Sequence, residues 1–372
     1  MKSTFKLFRI AGIAIGIHYT WLFALIFFSW TLAMVYFPSN YPGWSSLMYW
    51  IMGIIGALLI FVSVLVHELA HSLVSKTRGT QVSSITLFIL GGASNLDEEP
   101  ERPAVEFIIA IVGPATSLIL GAIFFAITHF NIDPTTPLYA IISYLSIINI
   151  YLGIFNLLPG FPLDGGRVLR SLLWGSTGSL AKATDIASIV GQFFGWAFIA
   201  LGVYLMISVN FIAGLWFTFI GWFLNSSADA SRKEVALRER LGIIKVKELM
   251  NENVATINPE TTVQNMVTNI FRKQHGRAVP VCKDGKMVGI ATISDIKKVK
   301  QEKWATTPVK KIMTTKPLYT VAPEDNLNKA LLLIAKYDVN QVLINNQGKC
   351  GGLLSRADVI RLIQMNTELG IK

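Results

Sequence analysis

The chain has 372 residues, 52% of them hydrophobic and 15% charged, a balance that points away from an ordinary soluble enzyme and towards a membrane protein of two or three domains. Its 33 basic and 23 acidic residues divide unevenly: 9 of each lie in residues 1–225, so the whole net charge of +10 belongs to residues 226–372. Two cysteines, Cys282 and Cys350, both in that basic tail and without a CxxC spacing, argue against a disulfide scaffold or a thiolate zinc site and fit a reducing cytosol.

Apolar segments recur at about 12–37, 47–75, 104–130, 137–158, 186–208 and 209–225, each near or above the roughly 17–25 residues that cross a bilayer as a helix. They predict six transmembrane helices. The first follows Lys6 and Arg9 as in a signal sequence, but its apolar stretch is too long and lacks a small-residue cleavage site, so it is expected to stay as an anchor. Between the second and third spans, "TQVSSITLFILGGASNL" (80–96) is apolar, rich in β-branched residues and closed by Gly91-Gly92; it is too short to span and reads as a re-entrant β hairpin. Basic residues between spans fall at Lys76, Arg78, Arg102, Arg167, Arg170 and Lys182 and then from Arg232 onward, whereas the loops near 38–46 and 131–136 and the turn at 208–210 have none. By the positive-inside rule both termini face the cytoplasm.

Within the second span, "SVLVHELAHSLVS" (63–75) places an acid where hydrocarbon is expected. An ionisable group at mid-membrane costs about 2.5–3.5 kcal/mol on insertion scales, so Glu68 requires compensation. Residues four apart share a helix face, so His67 and His71 can converge on one cation while Glu68, turned by about 100 degrees, lies beside it. That is the HExxH arrangement: two imidazole ligands and a carboxylate placed to take a proton from water at the metal. A polar helix-packing cluster is the competing reading. A catalytic zinc site needs a third protein ligand. Asp97, Glu98, Glu99, Glu101, Glu106, Asp133 and Asp185 lie mostly in loops or at span ends, as do His18 and His129, whose bland explanation is an interfacial position. Asp164 stands apart, because in "NLLPGFPLDGGRVLR" Pro159 and Pro162 break the fourth span and Gly165-Gly166 allow close backbone approach. It could equally be the N-cap of a helix starting at Gly165.

His67-Glu68-x-x-His71 together with Asn156-x-x-Pro159-x-x-Pro162-Leu163-Asp164-Gly165 resembles the site-2 protease family of intramembrane zinc metalloproteases, over residues 1–225. The resemblance implies that His67, His71 and Asp164 bind one zinc ion, that Glu68 is the general base, and that Asn156 helps hold the substrate or the oxyanion. It makes Gly113-Pro114-x-x-Ser117 a helix-packing motif and makes 80–96 a membrane-embedded strand able to pair with an extended substrate. The implied substrate is a transmembrane protein, single-span or anti-sigma-like, cut in regulated intramembrane proteolysis in a prokaryotic cell membrane. No stretch resembles the inserted PDZ domain of many bacterial relatives.

Residues 243–365 are a tandem duplication, with Val246/Val309, Met250/Met313, Val281/Ile344, Gly289/Gly352 and Asp295/Asp358 all offset by 63. Each unit reads as a short helix, a strand, a longer helix, two strands joined by a glycine turn and a last helix. The repeat resembles a pair of cystathionine-beta-synthase (CBS) domains, which implies adenosine nucleotides (ATP, ADP or AMP) in the clefts, with hydroxyls of Thr292 and Ser355 on phosphate and Asp295 and Asp358 on ribose. The alternative is that both aspartates only cap the final helices and the pair serves to form a homodimer. The expected organisation is a polytopic α-helical membrane domain (1–225), a charged linker helix (226–242) and a soluble α/β pair of CBS repeats (243–303 and 304–372). CBS pairs also occur on ion carriers, so a transporter is the competing function class; it would need a polar path through the full bilayer, which the featureless outer halves of these spans do not offer. Nothing in the chain points to nucleic acid.

Overall fold

The computed structural model describes all residues except 1–4, 81, 90, 97–99, 101, 131, 251–254, 273–276, 347–348 and 369–372. The chain forms two compact units, Met1–Val235 and Ala236–Lys372. Asp97, Glu98, Glu99 and Glu101 lie outside the described residues.

In the first unit, β1 (Phe5–Ile10) and β2 (Ile13–Ile17) precede a helical span of Thr20–Asn40, built from α1 (Thr20–Thr31), a π-helical turn (Leu32–Tyr36) and α2 (Phe37–Asn40). Then come α3 (Ser46–Thr77), β3 (Val82–Phe88), β4 (Gly91–Leu96), α4 (Pro103–Ile127), α5 (Pro137–Asn156), α6 (Asp164–Thr177), α7 (Leu180–Ser208) and α8 (Phe211–Ile243). Among the described residues six helices are long and apolar enough to cross a membrane: Thr20–Asn40, α3, α4, α5, α7 and α8. The first span therefore begins later than expected, because residues 13–17 are a strand. Ala11 and Gly12, at φ 49° and 82°, form the tight turn joining β1 to β2, and Lys76 Nζ donates to Ala11 O at 2.6 Å, tying this turn to the end of α3.

Capping fixes where the helices begin. Ser45 Oγ accepts from Met48 N (3.3 Å) at the start of α3, and Thr136 Oγ1 accepts from Tyr139 N (3.3 Å) ahead of Pro137 in α5. After α5, Pro159 and Pro162 (the latter preceded by a cis peptide) carry the chain through an irregular segment to Asp164, the first residue of α6. The four strands form one sheet in the order β1-β2-β3-β4, with β2 and β3 parallel and both outer pairs antiparallel. Ile13, Ile15, Val82 and Ile85 are its buried face, packed on Leu65 and Leu69 of α3.

In the second unit, α9 (Val246–Leu249), α10 (Val263–Met266), β5 (Ala278–Lys283), β6 (Lys286–Thr292) and α11 (Ile293–Ile296) are followed by β7 (Thr320–Val321), α12 (Leu327–Lys336), β8 (Gln341–Asn346), β9 (Lys349–Ser355) and α13 (Arg356–Glu368). One five-stranded sheet in the order β5-β6-β9-β8-β7 joins the repeats. Their leading segments are exchanged. Val246 N donates to Asp325 O (2.8 Å) and Val309 N to Thr261 O (2.8 Å). Val246 is fully buried in the core of Val321, Leu327, Ile334 and Leu354, while Val309 is fully buried in that of Val263, Met266, Val281 and Ala291. Lys245 and Lys247 reach Glu324 at 2.5 and 2.8 Å on the same seam and lower its carboxyl to about 2. Cys282 on β5 is disulfide-bonded, which corrects the expectation of reduced thiols.

Candidate metal centre

Helix α3 is long, apolar and free of proline, and it presents its polar residues on two faces. One carries His67 and His71, 3% and 6% exposed, towards α4 and the start of α6. Their Nε2 atoms stand 3.2 Å apart, and each is 3.0 Å from Oδ2 of Asp164. The i,i+4 stacking and the irregular proline segment thus bring together the three residues that the sequence singled out. Among the described residues they form a group of potential metal ligands.

The far side of each ring is anchored by α4. His71 Nδ1 lies 2.6 Å from Ile109 O. A carbonyl only accepts, so Nδ1 donates this bond and Nε2 is the nitrogen that faces the centre. Pro114 has no N–H, so in the helix ladder it leaves the carbonyl of Ala110, next to Ile109, without its usual partner. His67 Nδ1 pairs with Ser117 Oγ at 2.9 Å. A Cβ at Gly113 would overlap His71 Nε2 and lie 2.7 Å from His67 Nε2, so only glycine leaves this space open. Gly113 and Ser117, expected as packing residues, are therefore part of the centre.

The donor set suits a divalent transition metal. Tetrahedral zinc with bonds of about 2.0–2.1 Å places its ligand atoms roughly 3.3 Å apart, and the three atoms here lie 3.0–3.2 Å apart. Two imidazole nitrogens and a carboxylate oxygen this close together are a donor set that fits one cation among them. Two nitrogens and one oxygen match the composition of catalytic zinc sites that keep a fourth position for water.

The other face of α3 carries Glu68 towards the sheet. Ser94 Oγ on β4 donates to Glu68 Oε2 at 2.7 Å, and Ser72 and Ser94 hydroxyls meet at 3.3 Å. A Cβ at Gly92 would overlap Glu68 Cγ, so this strand can approach the helix only through glycine. Behind Asp164, α4 and α6 share a buried charge cluster. Arg170 Nε donates to Glu106 Oε1 at 2.7 Å, with its Nη2 on the same oxygen and its guanidinium 4.9 Å from the Phe161 ring centre. Glu106 is 1% exposed. Glu106, in the first turn of the α4 span, and Arg170, on α6 between the fourth and fifth spans, are thus paired inside the protein, which their places in the sequence did not show. The sequence signal available was their place on the inward faces of α4 and α6.

Asn156 Nδ2 donates to Leu152 O at 2.9 Å, a bond within its own helix. His18 pairs with Thr20 and His129 with Phe125 O, both within short sequence range. In the second unit, Thr292 Oγ1 donates to Asp295 Oδ2 (2.7 Å) and Ser355 Oγ to Asp358 Oδ2 (2.6 Å), while the backbone N–H groups of Asp295 and Asp358 return bonds to the hydroxyls. These are capping boxes at the starts of α11 and α13. The Asp295 carboxyl is held below its usual range: burial opposes this, and Lys298 with the Thr292 donors outweighs it. Thr292 also lines a cleft of about 220 Å³ with Arg277, Ser294, Asp338 and Asn340.

Residues 55–135 and 131–198 match the profile of Peptidase family M50, and residues 246–302 and 309–365 each match that of the CBS domain. Among solved structures, the site-2 protease from Methanocaldococcus jannaschii is 29% identical, aligned over 61% of this chain and 94% of that one with a TM-score of 0.44. Over 372 residues the chain is 32% identical to Rip3 of Mycobacterium tuberculosis, named as a zinc metalloprotease, covering 98% of this chain and 94% of that protein. It is 30% identical to zinc metalloprotease MJ0392 of Methanocaldococcus jannaschii, covering 99% of each. By these relatives the chain belongs to peptidase family M50, the site-2 proteases, as a multi-pass membrane zinc metalloendopeptidase with two CBS domains.

Proposed function

We propose that the protein hydrolyses peptide bonds in or near transmembrane segments of membrane-protein substrates, in regulated intramembrane proteolysis, with His67, His71 and Asp164 as zinc ligands. The observation that carries this reading is the convergence of two histidine nitrogens and one carboxylate oxygen within 3.2 Å of one another, with both histidines on α3, a helix long enough to span a bilayer, and the aspartate at the start of the short helix α6. Zinc, when bound, supplies Lewis acidity towards the scissile carbonyl and makes water acidic enough to ionise near neutral pH.

The protein's own groups do the rest. The carboxylate of Glu68, oriented by Ser94, takes a proton from the attacking water and returns it to the departing amine nitrogen, so the reaction begins and ends with the same ionised residue. Ile109 O and Ser117 fix the histidine rings before substrate arrives. A substrate helix has its carbonyls in hydrogen bonds and must unwind first. We assign the capture of the extended form to β4, the outer strand of the sheet on the Glu68 side, acting by strand addition from a re-entrant position. Asn156, one proline segment before Asp164, is assigned to substrate or oxyanion binding, for which its amide has a second N–H and an oxygen besides the hydrogen given to Leu152 O.

The proposed organisation is a membrane domain at 1–225, a linker helix at 226–242, and CBS repeats at 243–303 and 304–372. Both termini face the cytoplasm of a bacterial or archaeal cell. This reading is supported by Lys76, Arg78, Lys182 and the basic tail, and by the bacterial and archaeal origin of the relatives. Adenine nucleotide in the cleft beside Thr292 adjusts the cleavage rate, and a homodimer forms through the CBS pair. Glu68→Gln tests the central assignment: it keeps zinc and abolishes cleavage of a single-span substrate in reconstituted membranes. Cleavage undiminished in this variant contradicts it.

A further inference from the structure

Arg167 is a charged group at the metal centre to which neither the ligand set nor the base gives a task. We propose that Arg167 is a positioning residue that holds the outer oxygen of Asp164, so that the carboxylate offers the metal one oxygen and not two, and that Glu106 keeps Arg167 in place. The inference rests on the reading of His67, His71 and Asp164 as metal ligands.

The two oxygens of Asp164 have different surroundings. Oδ2 lies 3.0 Å from both histidine nitrogens. Oδ1 faces the other way, with Arg167 Nη1 at 4.0 Å. Asp164 and Arg167 are one turn apart at the start of α6, which puts them on one face. On its far side Arg167 has Nε 3.9 Å from Glu106 Oε1, the oxygen that Arg170 already takes with two nitrogens. Arg170 alone therefore fastens α6 to the buried Glu106 of α4, and the second guanidinium is not required for that fastening. Arg167 stands between two carboxylates and answers the charge of both.

A carboxylate can bind a cation through one oxygen or through both, and binding through both would fill the position that a catalytic zinc site leaves for water. A guanidinium beside Oδ1 stabilises negative charge on that atom and opposes its rotation towards the metal. Groups in this outer role tune metal affinity by about 10–100-fold.

The test uses the full chain in detergent with cobalt(II) exchanged for zinc, because the visible absorption of cobalt is strong in a four-coordinate site and several-fold weaker in a five-coordinate one. In Arg167→Met the absorption falls, and the chelator concentration that strips the metal shifts by about 10–100-fold. Melting of the metal-free variant matches that of the metal-free parent. Arg167→Lys keeps the charge and recovers part of both signals. If Arg167→Met does not fold, Arg167→Lys and Glu106→Gln carry the same readouts, with the absorption reduced and the chelator titration shifted relative to the parent. A parent-like spectrum and chelator titration overturn the proposal, as does a loss of metal that only follows a loss of metal-free stability. Metal bound at parent affinity by His67→Ala overturns the ligand assignment instead.

Discussion

Gly113 stands where the imidazoles of His67 and His71 leave no room for a methyl group. Gly113→Ala should therefore abolish zinc binding while the helical circular dichroism of the purified protein is retained, since alanine itself favours a helix. Ser117→Ala is milder: it removes the partner of His67 Nδ1 and should weaken zinc by about 10–100-fold in chelator competition. The proposed ligands were legible in the sequence, because i,i+4 stacking is a property of one helix, and because Asp164 follows two prolines that cannot continue one. The role of Gly113 and Ser117 was not. Their spacing says that a face of α4 is narrow, but not which helix lies against it. Glu106 and Arg170 were hidden for a related reason: at the ends of apolar runs, charges that pair inside the protein look the same as charges in water.

The elements show the same division between local and distant causes. The spans were recognisable from length and composition alone, and the strand character of 82–96 from its β-branched residues and paired glycines. The β1–β2 hairpin was not, since Ile13, Ile15 and Ile17 run into the apolar residues of α1, and an apolar run alone does not distinguish strand from helix. What decides it is the pairing of β2 with β3, about 70 residues away in sequence. Beside the sheet, Gly92→Ala should displace Glu68 and reduce cleavage while zinc content is unchanged, which separates base from ligands by metal analysis and a substrate assay. The duplication in the tail was legible from its 63-residue offset, though the first strand expected in repeat one is only a bridge at Ile257, whereas the exchange of leading segments was invisible, because both arrangements bury the same valines. Exchange means that neither repeat has a complete core alone. Residues 236–372 should unfold cooperatively, residues 236–303 should lack a fold, and Val309→Ala should destabilise the longer piece by about 1–3 kcal/mol in urea unfolding.

In the whole molecule, a membrane unit of no net charge carries the candidate metal centre and a basic unit carries the cleft beside Thr292. If that cleft takes adenine nucleotide as proposed, cleavage by membranes should change when ATP or AMP saturates the tail, and Thr292→Ala should remove the response without removing activity. Equal rates at shown saturation would contradict regulation by nucleotide and leave the metal site untouched. The account as a whole depends on three ligands from two separate segments of the chain acting as one site. The most direct measurement is zinc content per chain, by mass spectrometry of metal in the purified parent and in His67→Ala, His71→Ala and Asp164→Ala. The account predicts about one zinc in the parent and a near-complete loss in each variant. Undiminished zinc in any of the three would contradict it.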